Sequence, residues 1–195
     1  MFWFTIRKNK IMTTYNNVIL IFGDGRNSGK TTLARKIVSY YVKKNIAIGA
    51  IKVSSHIHNY TLENISNSNS FYINRETNLN KEKDSSKLLK AGANPVYFVQ
   101  SNDNYLHQAF NIIKKQNHCK RIWIVESGAA RNLFKPALFI FTKKDDNSTK
   151  NNSLLQLADL VTSFKEGSFS LPFDSITNKL DIIANTLKNT DDDKF

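Results

Sequence analysis

The sequence predicts an α/β fold in three layers, a mostly parallel sheet flanked by helices. Three observations predict it. First, the apolar runs "NNVILIF" (16–22), "IAIGAIK" (46–52), "PVYFVQS" (95–101), "RIWIVES" (121–127) and "ALFIFTK" (137–143) lack polar alternation, as do strands covered on both faces. Second, segments of helical period stand between several of these runs, and strands alternating with helices build parallel sheets. Third, the glycine-rich "GDGRNSGKTT" follows the first run directly. Ligands of such sheets meet the carboxyl ends of the strands. The loops after Phe22, Lys52, Ser101, Val125 and Phe141 are therefore where chemistry is expected.

The elements follow in order. After Lys30, the residues Leu33, Ala34, Ile37, Val38 and Tyr41 share one helical face. A polar, Asn- and Ser-rich stretch, 53–83, follows the second strand and reads as a long loop or lid. "DSSKLLKAG" reads as a short helix with Asp84 as its N-cap and Gly92 as its stop. "NYLHQAFNIIKKQ" (104–116) carries apolar residues at 106, 109, 110 and 113, a helical spacing. "LVTSF" (160–164) reads as a last short strand. "DSITNKLDIIANTL" (174–187) aligns Ile176, Leu180, Ile183 and Leu187 for a closing helix. Residues 1–15 read as an N-terminal extension, with Met12 a second candidate start, and 188–195 as a frayed tail. The length of 195 residues suits a single domain.

Composition sets bounds. With 41% hydrophobic residues the chain is expected to fold. No apolar run nears the ~20 residues that span a bilayer, so no membrane contact is expected. The one cysteine, Cys119, excludes an internal disulfide and a cysteine-cluster metal site. A reducing, cytoplasmic setting is the simplest reading. The formal net charge of +12 admits nucleic acid as a partner. The lysines are scattered without regular aromatic interleaving, however, and A/T-rich codons favour this composition. Nucleic acid is not the expected partner.

The glycine-rich segment carries the strongest chemical signal. Gly29-Lys30-Thr31-Thr32 closes a phosphate-binding loop of the P-loop type, set between a strand and a helix as the mechanism requires. Backbone N–H groups of Gly25, Arg26, Asn27, Ser28, Gly29 and Thr32 would cradle phosphate oxygens, and the helix would present its positive end to them. Lys30 would reach the β- and γ-phosphates, and Thr31 would offer its hydroxyl to Mg²⁺. The first glycine of the eight-residue pattern is replaced by Asp24. Gly23 and Gly25 flank it, so the first turn can shift by one residue. Asp24 is then expected to face outward or to bond backbone N–H groups.

"GRNSGKTTL" resembles the loop of the MobB family, protein B of molybdopterin-guanine dinucleotide biosynthesis. Two further segments are similar: "KVSSH" (52–56) to that family's K-H-x-H-H, and "EKDSSKLLKAGA" (82–93) to its G-K-D-S followed by A-G-A. The order and spacing agree across roughly residues 17–100. Val53, Ser55 and Glu82 depart from the pattern, as does Ser127 between Glu126 and Gly128 where the family has E-G. The resemblance implies a dimeric GTP-binding protein with weak GTPase activity. It further implies an adapter to the guanylyltransferase that attaches GMP to molybdopterin.

Other candidates each carry an ordinary reading beside the chemical one. Glu126, at a strand's end, would hold Mg²⁺ or orient water, or else simply bond an amide. Asp84 would be a second carboxylate near metal or nucleotide, or only a cap. Lys52 would meet phosphate or stay solvated. Arg131 would act as an internal arginine finger or lie on the surface. "TKKD" (142–145) is similar to the N-K-x-D of GTPases, in which Asp145 would read the guanine edge, but a lysine-rich loop yields such a run by chance. His56 and His58 fall short of the three or four ligands of a zinc site. Ser127 lacks the nucleophile-elbow pattern. The expected function is Mg²⁺-dependent GTP binding with weak hydrolysis by Lys30, Glu126 and Asp84, in molybdenum-cofactor assembly. The alternatives are an ATP-dependent small-molecule kinase or ligase, and a basic nucleic-acid-binding module.

Overall fold

The computed structural model describes residues 12–55, 63–68, 70–80, 82–117, 120–144 and 151–189. The strands are β1 (Thr13–Gly23), β2 (Ile48–Ser54), β3 (Glu63–Ser68), β4 (Phe71–Arg75), β5 (Val96–Ser101), β6 (Ile122–Glu126), β7 (Phe134–Lys143), β8 (Leu160–Lys165) and β9 (Ser168–Phe169). The helices are α1 (Lys30–Lys43), α2 (Asp84–Lys90), α3 (Leu106–Gln116), α4 (Asn152–Leu155) and α5 (Asp174–Asn189). The strands form a sheet in the order β3-β4-β5-β2-β6-β1-β7-β8-β9. Its centre, β5 through β8, is parallel, while β3, β4 and β9 join antiparallel at the edges. This is the mostly parallel α/β fold expected.

Strand alternation explains the three layers. Ile19 and Ile21 of β1, Ile122 and Ile124 of β6, and Leu138 and Ile140 of β7 face one way, onto α1, α2 and α5. Val18 and Leu20, Trp123 and Val125, and Phe139 and Phe141 face the other way, onto α3. Both sets are apolar, so each central strand is buried on two faces. The helices answer with matched stripes. All five predicted residues of α1 and the four of α5 are buried, as are Leu106, Ala109, Phe110 and Ile113 of α3.

The structure departs from the sequence reading in three places. Within 53–83, expected as a loop, β3 and β4 form an antiparallel hairpin that extends the sheet beyond β5. Only Phe71 and Ile73 of β4 turn inward as apolar residues, too few to stand out in a polar stretch. Asp84 does not cap α2. Lys83 holds the extended N-cap position without a side-chain bond, and Asp84 is the first helical residue. Residues 13–15, assigned to an extension, belong to β1 and pair with Phe134–Pro136, because β7 begins three residues before the apolar run that announced it. Gly92 ends α2 as expected, at φ 103°. Of the expected tail, residues 188 and 189 complete α5, and 190–195 lie outside the described residues.

Tyr41 ties α1 to α5: its buried hydroxyl donates to the Leu180 carbonyl at 2.8 Å. Tyr41→Phe should cost about 1 kcal/mol in chemical denaturation at neutral pH. Burial holds this phenol well above its ordinary pKa, so its stabilisation is intact below pH ~10 and declines above it, where the unfolded chain ionises first. Tyr41→Phe should therefore lose less stability than the parent between roughly pH 9.5 and 11.

Candidate functional site

The glycine-rich loop leaves β1 at Gly23 and enters α1 at Lys30. It resolves the question of the missing glycine. A Cβ on Gly23 would lie 2.1 Å from Ser28 Oγ and 2.5 Å from Thr142 Oγ1, whereas one on Gly25 would meet nothing within 4 Å. Gly23 is thus the glycine that close approach demands. Asp24 turns away from the cleft. Its amide donates to the Thr142 carbonyl at 3.1 Å, and its Oδ1 accepts from the Lys144 amide at 2.9 Å. That is the backbone bonding expected of it, and it fastens the loop to the end of β7.

The remaining turns use left-handed backbone, with φ 62° at Asn27 and 85° at Gly29. Ser28 is buried. Its Oγ donates to the Gly25 carbonyl at 3.2 Å and lies 3.2 Å from Thr142 Oγ1. Lys30 folds back over the loop and donates to the Gly25 carbonyl and to Ser28 Oγ. No side chain caps α1 and no acidic residue occupies its first turn. Its positive end is therefore open to an anion in the cleft.

Four elements meet across the loop's mouth. Glu126, at the end of β6, is 2% exposed. Its carboxylate accepts from Thr31 Oγ1 at 3.2 Å and pairs with the Lys52 ammonium at the end of β2. Lys52 also pairs with Asp84 of α2 at 3.2 Å. The result is a relay, Asp84–Lys52–Glu126–Thr31. Burial pulls the Lys52 pKa down, but the charges and hydrogen bonds of Glu126 and Asp84 outweigh it, and the net shift is upward. Lys30 moves the other way, because burial outweighs the attraction of Glu126 and Lys52 repels it.

Gly25, Arg26, Asn27, Ser28, Gly29, Lys30, Thr31, Thr32, Lys52, Asp84 and Glu126 thus all line one cleft of about 700 Å³. Arg35, Lys87 and Phe164 line it too, unanticipated. Lys87 stands one helical turn after Asp84, and Arg35 one turn after Thr31 and Thr32, so helical spacing was a usable signal for both. Phe164 reaches the cleft from β8, two strands from β1, and no sequence spacing announces that.

Other candidates fall elsewhere. Asp145, His56 and His58 lie outside the described residues. Arg131 lies in a 3₁₀ turn, Ala129–Asn132, and its Nη1 contacts Met12 Sδ at 3.2 Å. It sits by the start of β1, at the opposite end of the strand from the loop, so it is no arginine finger here. Ser127 Oγ accepts from the Ala130 amide at 3.3 Å and only shapes that turn. His107 is exposed on α3. Among the described residues no group of three or more His, Cys, Asp or Glu could hold a metal ion by itself. None of their helices is long and apolar enough to cross a membrane.

Neither a protein-family model nor a curated protein matches the chain. Among solved structures, the chain is similar to the X-ray crystal structure of a MobB protein homolog from Bacillus stearothermophilus, with 14% identity over 89% of this chain and 99% of that one, at a TM-score of 0.38. At that distance the likeness assigns no activity.

Two sets of variants test the construction by denaturation. Gly29→Ala forces a left-handed alanine whose Cβ would sit 2.6 Å from Phe164 Cγ, and should cost about 2–4 kcal/mol. Gly25→Ala should stay within about 0.5 kcal/mol of the parent. Lys52→Met leaves the buried Glu126 carboxylate without its cation, and a loss of about 3 kcal/mol is expected.

Proposed function

We propose that this chain binds a nucleoside triphosphate at the 23–32 loop, GTP in preference to ATP, and hydrolyses it weakly. The observation that carries this reading is the junction of a left-handed glycine loop, an uncapped helix start and Lys30 at the carboxyl end of a central parallel strand. A triphosphate is the ligand such a junction suits. Backbone N–H groups meet its oxygens, and the helix end and two lysines offset its charge.

Magnesium suits the oxygen donors present. The Thr31 hydroxyl and the carboxylates of Glu126 and Asp84 are hard ligands of the kind that ion takes. When bound, it would supply positive charge to the phosphate oxygens. Lys52 orients Glu126 through their ion pair and adds a second cation to the cleft wall. Slow turnover follows from the same contacts. Glu126 is committed to Thr31 and Lys52 and is poorly placed to take a proton from water.

Guanine preference rests on "TKKD". Thr142 and Lys144 are tied to the phosphate loop through Asp24 and Ser28, so Asp145 follows directly on a segment anchored there. The segments similar to the MobB family extend the proposal to an adapter role, possessing no chemistry of its own beyond the nucleotide. On this reading the partner is a guanylyltransferase of molybdenum-cofactor assembly and the chain works as a homodimer. A kinase or ligase using ATP is the second reading, favoured by Arg35 and Lys87, which add cations at the cleft's rim.

Thermal melts with Mg²⁺ and GTP, ATP or neither separate these readings. At about 100 times Kd, the bound nucleotide should add about 2.7 kcal/mol of stability. A rise with GTP alone supports the first reading, and a rise with ATP alone the second. Lys30→Ala should abolish the rise; an unchanged affinity would remove the site assignment.

A further inference from the structure

The cleft has two unlike ends. One gathers the hydroxyl of Thr31 and the carboxylates of Glu126 and Asp84 around Lys52. The other lies toward β8, across β7 and β1 from Glu126, where Phe164 is the one aromatic side chain among the described residues that line the cleft. If the nucleotide reading above holds, the terminal phosphates belong at the first end, beside the metal-binding oxygens. The sugar and base then extend toward the second. We propose that the ring of Phe164 is the stacking platform for the nucleotide base.

The ring's setting supports this role. Phe164 lies near the carboxyl end of β8, whose register sets Thr142 and Lys143 beside Thr162 and Ser163. It is therefore close to the end of β7, Thr142 and Lys143. It is half-buried and belongs to neither apolar cluster of the fold, whereas its neighbour Phe169 packs into the cluster beneath α1 and α5. Core packing thus accounts for Phe169 and leaves Phe164 unexplained.

The ring is also held rigidly. One side rests on Gly29, where an added Cβ would approach Phe164 Cγ to 2.6 Å. Phe169 braces it, with ring centroids 4.7 Å apart and planes tilted by 45°. The brace is set by a tight hairpin through Glu166 and Gly167, at φ 50° and 82°, which brings Phe169 opposite Phe164. A ring already fixed loses little freedom when a base stacks on it.

The test compares binding of GTP, ATP and inorganic tripolyphosphate, each with Mg²⁺, to the full chain by calorimetry. Phe164→Ala should weaken both nucleotides by about tenfold or more and leave tripolyphosphate within about twofold. Phe164→Leu keeps bulk against Gly29 without a flat face and should show the same selective loss. Phe164→Trp should retain nucleotide affinity. Equal losses for nucleotide and tripolyphosphate would mean that the ring only props the phosphate loop, and would overturn the proposal. So would unchanged nucleotide affinity in both the Ala and Leu variants. Parent chain that binds tripolyphosphate no more weakly than nucleotide overturns base stacking while sparing the phosphate site. Parent chain that binds none of the three overturns the nucleotide reading itself.

Discussion

A carboxylate as buried as that of Glu126 must be paired, because an ion stripped of water and left alone costs several kcal/mol. That requirement organises the site. It draws Lys52 from the end of the neighbouring strand β2 and Thr31 from the first turn of α1, and through Lys52 it reaches Asp84 on α2. One buried charge thus sets the relative positions of two strand ends and two helix starts. These are the elements whose backbone and hydroxyl groups can meet a phosphate.

The other side of the loop is held by hydrogen bonds rather than ion pairs. Asp24, the residue that breaks the familiar glycine pattern, serves as a strap to β7, and Ser28 and Thr142 close the back of the loop. On one flank lies a rigid charged relay. On the other, Phe164 and Phe169 form an aromatic wall against Gly29. The cleft is therefore polar at one end and aromatic at the other, a division that follows from which strands neighbour β1 on each side.

Much of this was legible in the residues. The central strands announced themselves because burial on two faces requires unbroken apolar runs, and α1, α3 and α5 because a covered helix needs an apolar residue every three or four positions. The β3–β4 hairpin was not legible. An edge hairpin buries few apolar side chains, and Phe71 and Ile73 are too few to set a period. Asp84 admits two readings in the sequence, a cap or a cleft carboxylate, because Asp at a helix start commonly serves as a cap. The structure makes it the first helical residue, paired with the ammonium of Lys52 and lining the cleft. Arg131 looked suitable by its place after Glu126, yet the 3₁₀ turn carries it to the far end of β1.

What the sequence determined alone is local: strand, glycine loop and helix in succession, and the chemical types of Lys30, Thr31, Glu126 and Lys52. These depend on short-range periodicity and on backbone geometry, both of which are written within a few residues. Only the tertiary structure decided which strands lie beside β1, that Gly23 rather than Gly25 needs to be glycine, and that Phe164 reaches the cleft. Such facts depend on strand order and on the distance between atoms far apart in the chain, and no spacing along the chain encodes either.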